Sequence, residues 1–303
     1  MSTGDTEYSH AKIVGMKTLR NYFQEADKKK IALGHFNISN IEMFWAIVRA
    51  AKKMNVPVVI GVSEGERDFI GVSQCVALVE SARRSLNHPI FLNADHTYSV
   101  ERVKEAIDAG FDSVIIDGAK FSFEENVAMT RECVKYAKNS GREVLVEAEL
   151  GYIGQSSKVL DAIPEGVKLT DEMLVQPADA RRFKDETDID LFAPAVGNIH
   201  GMLRGGKDPA LNIKRIAEIK GATGLPLVLH GGSGTSEEDF RNAIKAGITM
   251  IHVSTELRVA YRSNLEKAFR ENPDEVAPYK YMKSVVEAVE KVTSEKISIF
   301  NNP

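Results

Sequence analysis

Pro89-Ile-Phe-Leu-Asn-Ala-Asp95-His96-Thr97 is a short, mostly apolar run after a proline, and it stops in an acid beside an imidazole. The apolar part has the pattern of a strand buried on both faces of a parallel sheet. Successive strand residues face opposite ways, so Asp95 and His96 can serve one site only if the chain is leaving strand geometry there. That geometry belongs to the carboxyl end of a barrel strand, where the catalytic residues of parallel α/β barrels collect. Two later runs end alike, at Gly197-Asn-Ile-His200-Gly201 and at Leu227-Val-Leu-His230-Gly-Gly-Ser233-Gly. A lone histidine is most simply a structural residue bonded to a carbonyl. Three on three strand ends supply the donors of a catalytic zinc site with an open position, with Asp95 beside it.

Outward from that stretch the chain alternates without a break. Strands are expected at Ile31–Ile38, Pro57–Ser63, Phe91–Ala94, Ser113–Asp117, Glu143–Glu149, Leu191–Val196, Leu225–Leu229 and Thr249–Val253. Helices follow them at about Ile41–Met54, Val72–Leu86, Val100–Ala109, Glu124–Asn139, Ala178–Glu186, Leu211–Lys220, Glu237–Ala246 and Glu256–Glu271. Gly110, Gly141, Gly224 and Gly247 fall just after helices, the usual C-cap position. Eight consecutive strand–helix units predict one (β/α)8 TIM barrel, a single domain over residues 1–303. An extra N-terminal helix at about 15–30 is placed to close the bottom, and a helix at about 279–296 forms a C-terminal extension. A doubly wound open sheet would carry a glycine-rich first turn, and Asn37-Ile-Ser-Asn40 is not one.

The 303-residue chain is 43% hydrophobic and 27% charged, ordinary for a soluble globular protein. A formal net charge of -4 gives no reason to expect nucleic acid or an anionic membrane surface as partner. No apolar run approaches the ~20 residues of a transmembrane helix, and the first residues lack the pattern of a signal peptide. Cys75 and Cys133 both fall inside helical patterns, so a disulfide framework is not expected and a cytoplasmic setting is.

Polar residues gather where the strands stop: Asn37, Ser63, Asp95, His96, Asp117, Glu147, Glu149, His200, His230, Ser233 and Ser254. Asp95-His96, Val146-Glu-Ala-Glu149-Leu-Gly151, His200-Gly201 and His230-Gly-Gly-Ser-Gly, in that order, resemble the class II, zinc-dependent ketose-bisphosphate aldolases. The resemblance runs from about Met16 to Glu290. It implies a homodimeric or homotetrameric lyase of glycolytic type that reversibly splits a phosphorylated ketose, fructose 1,6-bisphosphate or tagatose 1,6-bisphosphate first. The products are dihydroxyacetone phosphate and an aldehyde, formed through a zinc-stabilised enediolate. His96, His200 and His230 match the zinc ligands, and Asp117 and Glu149 match positions that bind or exchange metal in some members. Another divalent ion, and a monovalent cation besides, are further candidates. Asp95 matches the acid/base for the C4 hydroxyl. Glu147 is read as support for a histidine. Gly201, Gly231, Gly232 and Ser233 match phosphate loops, His252-Val-Ser-Thr255 a further substrate-binding run with Ser254 and Thr255 as donors, and Asn37 and Ser63 polar substrate contacts. Arg258 matches an arginine for a second phosphate in fructose-specific members, its alternative being a solvated helix face.

Three departures stand out. Gly154-Gln-Ser-Ser157-Lys158 lacks the carboxylates of the typical mobile loop, leaving Asp161, Glu165, Asp171 and Glu172 as stand-ins for the missing glutamate. His252 stands where Asn is usual, and Asn93 and Thr97 are also changed. These open two alternatives: an aldolase for another sugar phosphate, or a metal-binding barrel without aldolase turnover. A zinc barrel hydrolase would carry a His-x-His pair on the first strand, and His35-Phe-Asn37 is not one.

Overall fold

The computed structural model describes residues 17–154, 158–163, 165–167, 169–171, 174–205 and 208–302. The expected helix start at Gly15, the loop residues Gln155, Ser156 and Ser157, and Glu172 lie outside these.

Eight parallel strands close into a barrel: β1 (Leu33–Asn37), β2 (Val58–Val62), β3 (Ile90–Thr97), β4 (Ser113–Ile116), β5 (Leu145–Leu150), β7 (Leu191–Pro194), β9 (Leu227–Leu229) and β10 (Ile248–Val253). Around the ring the order is β1, β10, β9, β7, β5, β4, β3, β2. Val, Ile and Leu dominate these strands because both faces are covered, one by helices and one by the barrel interior. Side-chain caps start the helices where the sequence offers them. Asn40 accepts from the Met43 amide before α2 (Ile41–Met54), Ser99 from Arg102 before α5 (Val100–Ala109), and Ser236 from Asp239 before α9 (Glu237–Ala246).

The expected N-terminal helix is α1 (Leu19–Lys29), and it does close the bottom. Leu19, Phe23 and Ala26 pack against Leu33, Val59, Phe91, Leu145, Leu191, Val228 and Met250, residues near the starts of the barrel strands. The final helix, α11 (Pro278–Asn301), runs longer than expected, because Ile297 and Phe300 are still buried and the Ala32 amide donates to the Phe300 carbonyl at 3.0 Å. A seven-residue helix, α3 (Glu64–Ile70), precedes α4 (Val72–Leu86) where the sequence reading placed only a connection. Two short strands outside the barrel, β6 (Val159–Leu160) and β8 (Met202–Leu203), pair with each other and stitch the long loop after β5 to the segment carrying His200.

Candidate active site

The exit from strand geometry expected at Asp95-His96 is a register shift. Ala94 pairs with Val114 and Thr97 with Ile116, so two residues of β3 stand opposite one of β4. His96 also adopts φ +34°, a left-handed conformation that a non-glycine residue takes only when its surroundings enforce it. Both side chains therefore enter the same polar cluster at the carboxyl mouth of the barrel.

The three histidines converge there, although His200 sits in the loop beyond β7, which ends at Pro194, and not at the strand end expected of it. Ring centroids of His96 lie 4.4 Å from His200 and 4.8 Å from His230, and His200 and His230 are 6.4 Å apart. Each ring has a fixed partner. His96 Nδ1 is 2.9 Å from Asp117 Oδ2, and His200 Nδ1 donates to the Gly154 carbonyl at 2.9 Å. His230 is clasped at both nitrogens, Nδ1 by Glu149 at 3.0 Å and Nε2 by Glu147 at 2.6 Å. Glu147 and Glu149 reach one ring because residues two apart on β5 share a face. His96, Glu149 and His230 each offer a ligand atom within 4.8 Å of the others. The donation from His200 Nδ1 leaves its Nε2 as the lone-pair nitrogen. Two or three imidazoles and a carboxylate in this arrangement suit a divalent transition metal, so the residues fit the ion that the sequence implies.

Asp95 is held on the opposite side. Asn37 Nδ2 donates to Asp95 Oδ2 at 2.8 Å, and His252 Nδ1 lies 3.4 Å from Oδ1. Burial alone would raise this carboxyl, but the nearby imidazoles, His96 foremost, hold it well below the usual range. Burial likewise works against the charged form of His96, yet Asp95 and Asp117 push it up to about 9. Burial pushes His200 down to about 3, with His96 and His230 adding to the effect and outweighing the upward pull of the Gly154 carbonyl and Asp95. Burial raises Glu147 and Glu149, while these two carboxyls carry the His230 imidazole well above its ordinary value despite its own burial.

A cavity opens onto the cluster, lined by Asn37, Asp95, His96, His200, Gly201, Gly231, Ser233, His252, Ser254 and Thr255. Gly231 needs to be glycine, at φ +64° with the Ile199 carbonyl 1.9 Å from where a Cβ would sit. Gly232 is packed under the His252 carbonyl, to which its amide donates at 2.9 Å, and does not line the cavity. Arg258 and Ser63 do not line it either. Both are bonded to Glu66, which accepts from Arg258 Nη2 at 2.6 Å and Ser63 Oγ at 3.0 Å. Of the loop acids, Asp161 pairs with Arg204 at 2.6 Å, Asp171 with Arg215 at 3.0 Å, and Glu165 is exposed.

Two residues of the cluster escape sequence reasoning. His35 stacks on His252 and bonds Asn93 Oδ1 at 3.2 Å; a single histidine within an apolar strand gives no signal of this. Glu66 shares a capping box with Ser63 at the start of α3, and nothing local to it signals the site.

The family profile described as fructose-bisphosphate aldolase class-II matches residues 17–303. The chain is 37% identical over 286 residues to a fructose-bisphosphate aldolase of Staphylococcus epidermidis, covering 93% of this chain and 96% of that one. It is 36% identical over 288 residues to a 6-phospho-5-dehydro-2-deoxy-D-gluconate aldolase of Bacillus velezensis, covering 94% and 95%. Among solved structures, the YdjI aldolase of Escherichia coli K12 superposes with a TM-score of 0.77 at 30% identity, covering 94% of this chain and 96% of that one. Catalytic mouth, histidine cluster and sequence relatives agree, and the chain belongs to the class II fructose-bisphosphate aldolase family.

Proposed function

We propose that this chain reversibly cleaves a phosphorylated ketose into dihydroxyacetone phosphate and an aldehyde, with zinc held by His96, His200 and His230. When bound, the ion supplies Lewis-acid polarisation of the donor carbonyl, a contribution of several kcal/mol. The chain's own residues do the rest. Asp95, kept ionised by its imidazole neighbours and oriented by Asn37, takes the C4 hydroxyl proton as the C3–C4 bond breaks, and returns it in condensation. Gly201, Gly231 and Ser233 face the cavity where the donor phosphate would sit. Asp117, Glu147 and Glu149 orient the histidines. Fructose 1,6-bisphosphate and tagatose 1,6-bisphosphate are the first substrates to offer, and other ketose phosphates follow, since one relative is named for a different sugar-acid phosphate. The glycolytic, cytoplasmic and homo-oligomeric setting belongs to the same reading, and two free buried thiols suit a reducing compartment.

The observation that carries the reading is the ionised Asp95 held against three convergent histidines at the barrel mouth. Hydrogen exchange at C1 of dihydroxyacetone phosphate in deuterated water, with zinc-loaded and chelated protein, tests it without knowledge of the aldehyde. Zinc-dependent exchange is expected. Its absence would leave a family relationship without the reaction.

A further inference from the structure

Arg67 of α3 is fully buried, yet its nearest carboxylate among the described residues, Glu64, is 3.9 Å away. A buried guanidinium without a tightly paired acid is costly, so its other contacts have to account for it. Nη1 donates to the carbonyls of Val62 at 3.1 Å and Asp95 at 3.2 Å, and Nη2 to Thr97 Oγ1 at 2.9 Å. The last two acceptors flank His96, the residue forced to φ +34° inside the register shift of β3. Glu64, in the same helix, accepts from the Tyr98 amide at 2.8 Å. The short helix therefore grips residues 95, 97 and 98, and Arg67 is the clamp across the strained one between them. Thr97 is one of the positions that depart from the family pattern, and its hydroxyl is the acceptor that completes the clamp.

On the aldolase reading, on which this inference rests, the two residues of the bulge have different needs. His96 is aligned by its ring, whose Nδ1 is held by Asp117 at 2.9 Å. Asp95 has less to fix it. Asn37 Nδ2 donates to its Oδ2 at 2.8 Å, while Oδ1 is buried with no hydrogen bond, His252 Nδ1 standing 3.4 Å away. Its aim therefore depends on the main chain that carries it, and the Asp95 carbonyl is an atom that Arg67 holds. Proton transfer between Asp95 and the C4 oxygen requires that carboxylate within hydrogen-bond reach. A displacement of about 1 Å can cost on the order of 10²-fold in rate. We propose that Arg67 is a positioning residue for the acid/base. It acts through the main chain of Asp95 and the hydroxyl of Thr97 to aim the carboxylate at the C4 hydroxyl, and the metal side of the site stands without it.

The test compares two rates on the same zinc-loaded protein. One is hydrogen exchange at C1 of dihydroxyacetone phosphate, which on this reading does not use Asp95. The other is cleavage of a sugar phosphate, which does. Fructose 1,6-bisphosphate, tagatose 1,6-bisphosphate and 6-phospho-5-dehydro-2-deoxy-D-gluconate are offered, and the one that wild type splits fastest is used. In Arg67→Met, cleavage is expected to fall about tenfold or more while exchange and zinc stoichiometry stay close to wild type. Arg67→Lys, which restores one charged donor, is expected to recover part of the loss. Thr97→Val keeps the shape of the side chain and removes only the acceptor. It is expected to shift the ratio the same way by less, and it decides the question if Arg67→Met does not fold. A merely structural arginine would lower the folded fraction, and with it both rates in equal proportion. Equal falls in cleavage and exchange in Arg67→Met, or an unchanged ratio in Thr97→Val, would overturn the proposal. Absence of exchange in the wild type would instead remove the aldolase reading, and the proposal with it.

Discussion

His35 and His252 lie face to face, ring centroids 3.5 Å apart and planes 7° from parallel, as register partners on β1 and β10. Burial pushes His35 down to about 4 and His252 well below its ordinary value, so both are neutral rings stacked without mutual repulsion. Gly61 makes room for the pair, since a Cβ there would come within 2.1 Å of the His35 ring. The two rings are expected to act as a unit. His35→Ala and His252→Ala should be non-additive in a double-mutant cycle by about 1 kcal/mol, read from urea unfolding of the metal-free protein. Strict additivity would mean that the stack contributes nothing beyond each ring's own packing.

Asp95 and His200 should fail differently. Asp95→Asn is close in shape, keeps the Asn37 contact in reach and removes only the charge. It is expected to retain stoichiometric zinc while cleavage falls by about 10²–10⁴-fold. His200→Ala removes a ring whose Nδ1 is already committed to Gly154, and should lose zinc and turnover together. Metal analysis beside a coupled cleavage assay separates the two. Full zinc and full activity in His200→Ala would remove that residue from the site.

In the metal-free protein His96 titrates at about 9 instead of near 6.5, because Asp95 and Asp117 outweigh its burial. The raised value contributes stability that is complete below about pH 6.5 and lost as pH rises through about 9. Metal needs the neutral imidazole, so uptake must expel this proton. Zinc affinity should therefore climb with pH by at least about tenfold per unit across that window. Calorimetry of zinc binding near neutral pH, in buffers of different ionisation enthalpy, should show release of at least one proton. Uptake without proton release contradicts the assignment.

Arg67 is wholly buried, and its guanidinium ties the mouth of the barrel together by donating to the carbonyls of Val62 and Asp95 and to Thr97 Oγ1, at 3.1, 3.2 and 2.9 Å. Arg67→Met keeps most of the volume and abandons three acceptors. A loss of about 2–4 kcal/mol is expected, seen as a lower urea midpoint at unchanged slope. A variant as stable as wild type would show that water replaces the guanidinium.

The barrel was legible because its strands are buried on both faces and read as continuous apolar runs, and because helix ends such as Gly110, Gly224 and Gly247 are signalled by residue type. α3 was not, since seven residues with Gly65 inside give no helical period. Asp95, His96 and His230 stood out because a polar residue at the end of an apolar strand has no packing reason to be there, and His200 was picked out by the same pattern although β7 ends earlier, at Pro194. Glu66 and Arg258 could not be paired from sequence, being 192 positions apart and each locally explained, one by a cap and the other by a helix face. His35 was hidden for the same reason. Contacts formed by barrel closure between distant strands leave no local trace.

The helix that plugs the foot of the barrel turns the catalytic cavity into a cul-de-sac. With Leu19, Phe23 and Ala26 filling the space beneath the strand starts, traffic has to pass through the upper rim. Both halves of a cleaved ketose must therefore leave by the way the substrate came in, past the same rim that carries Gly201, Gly231 and Ser233.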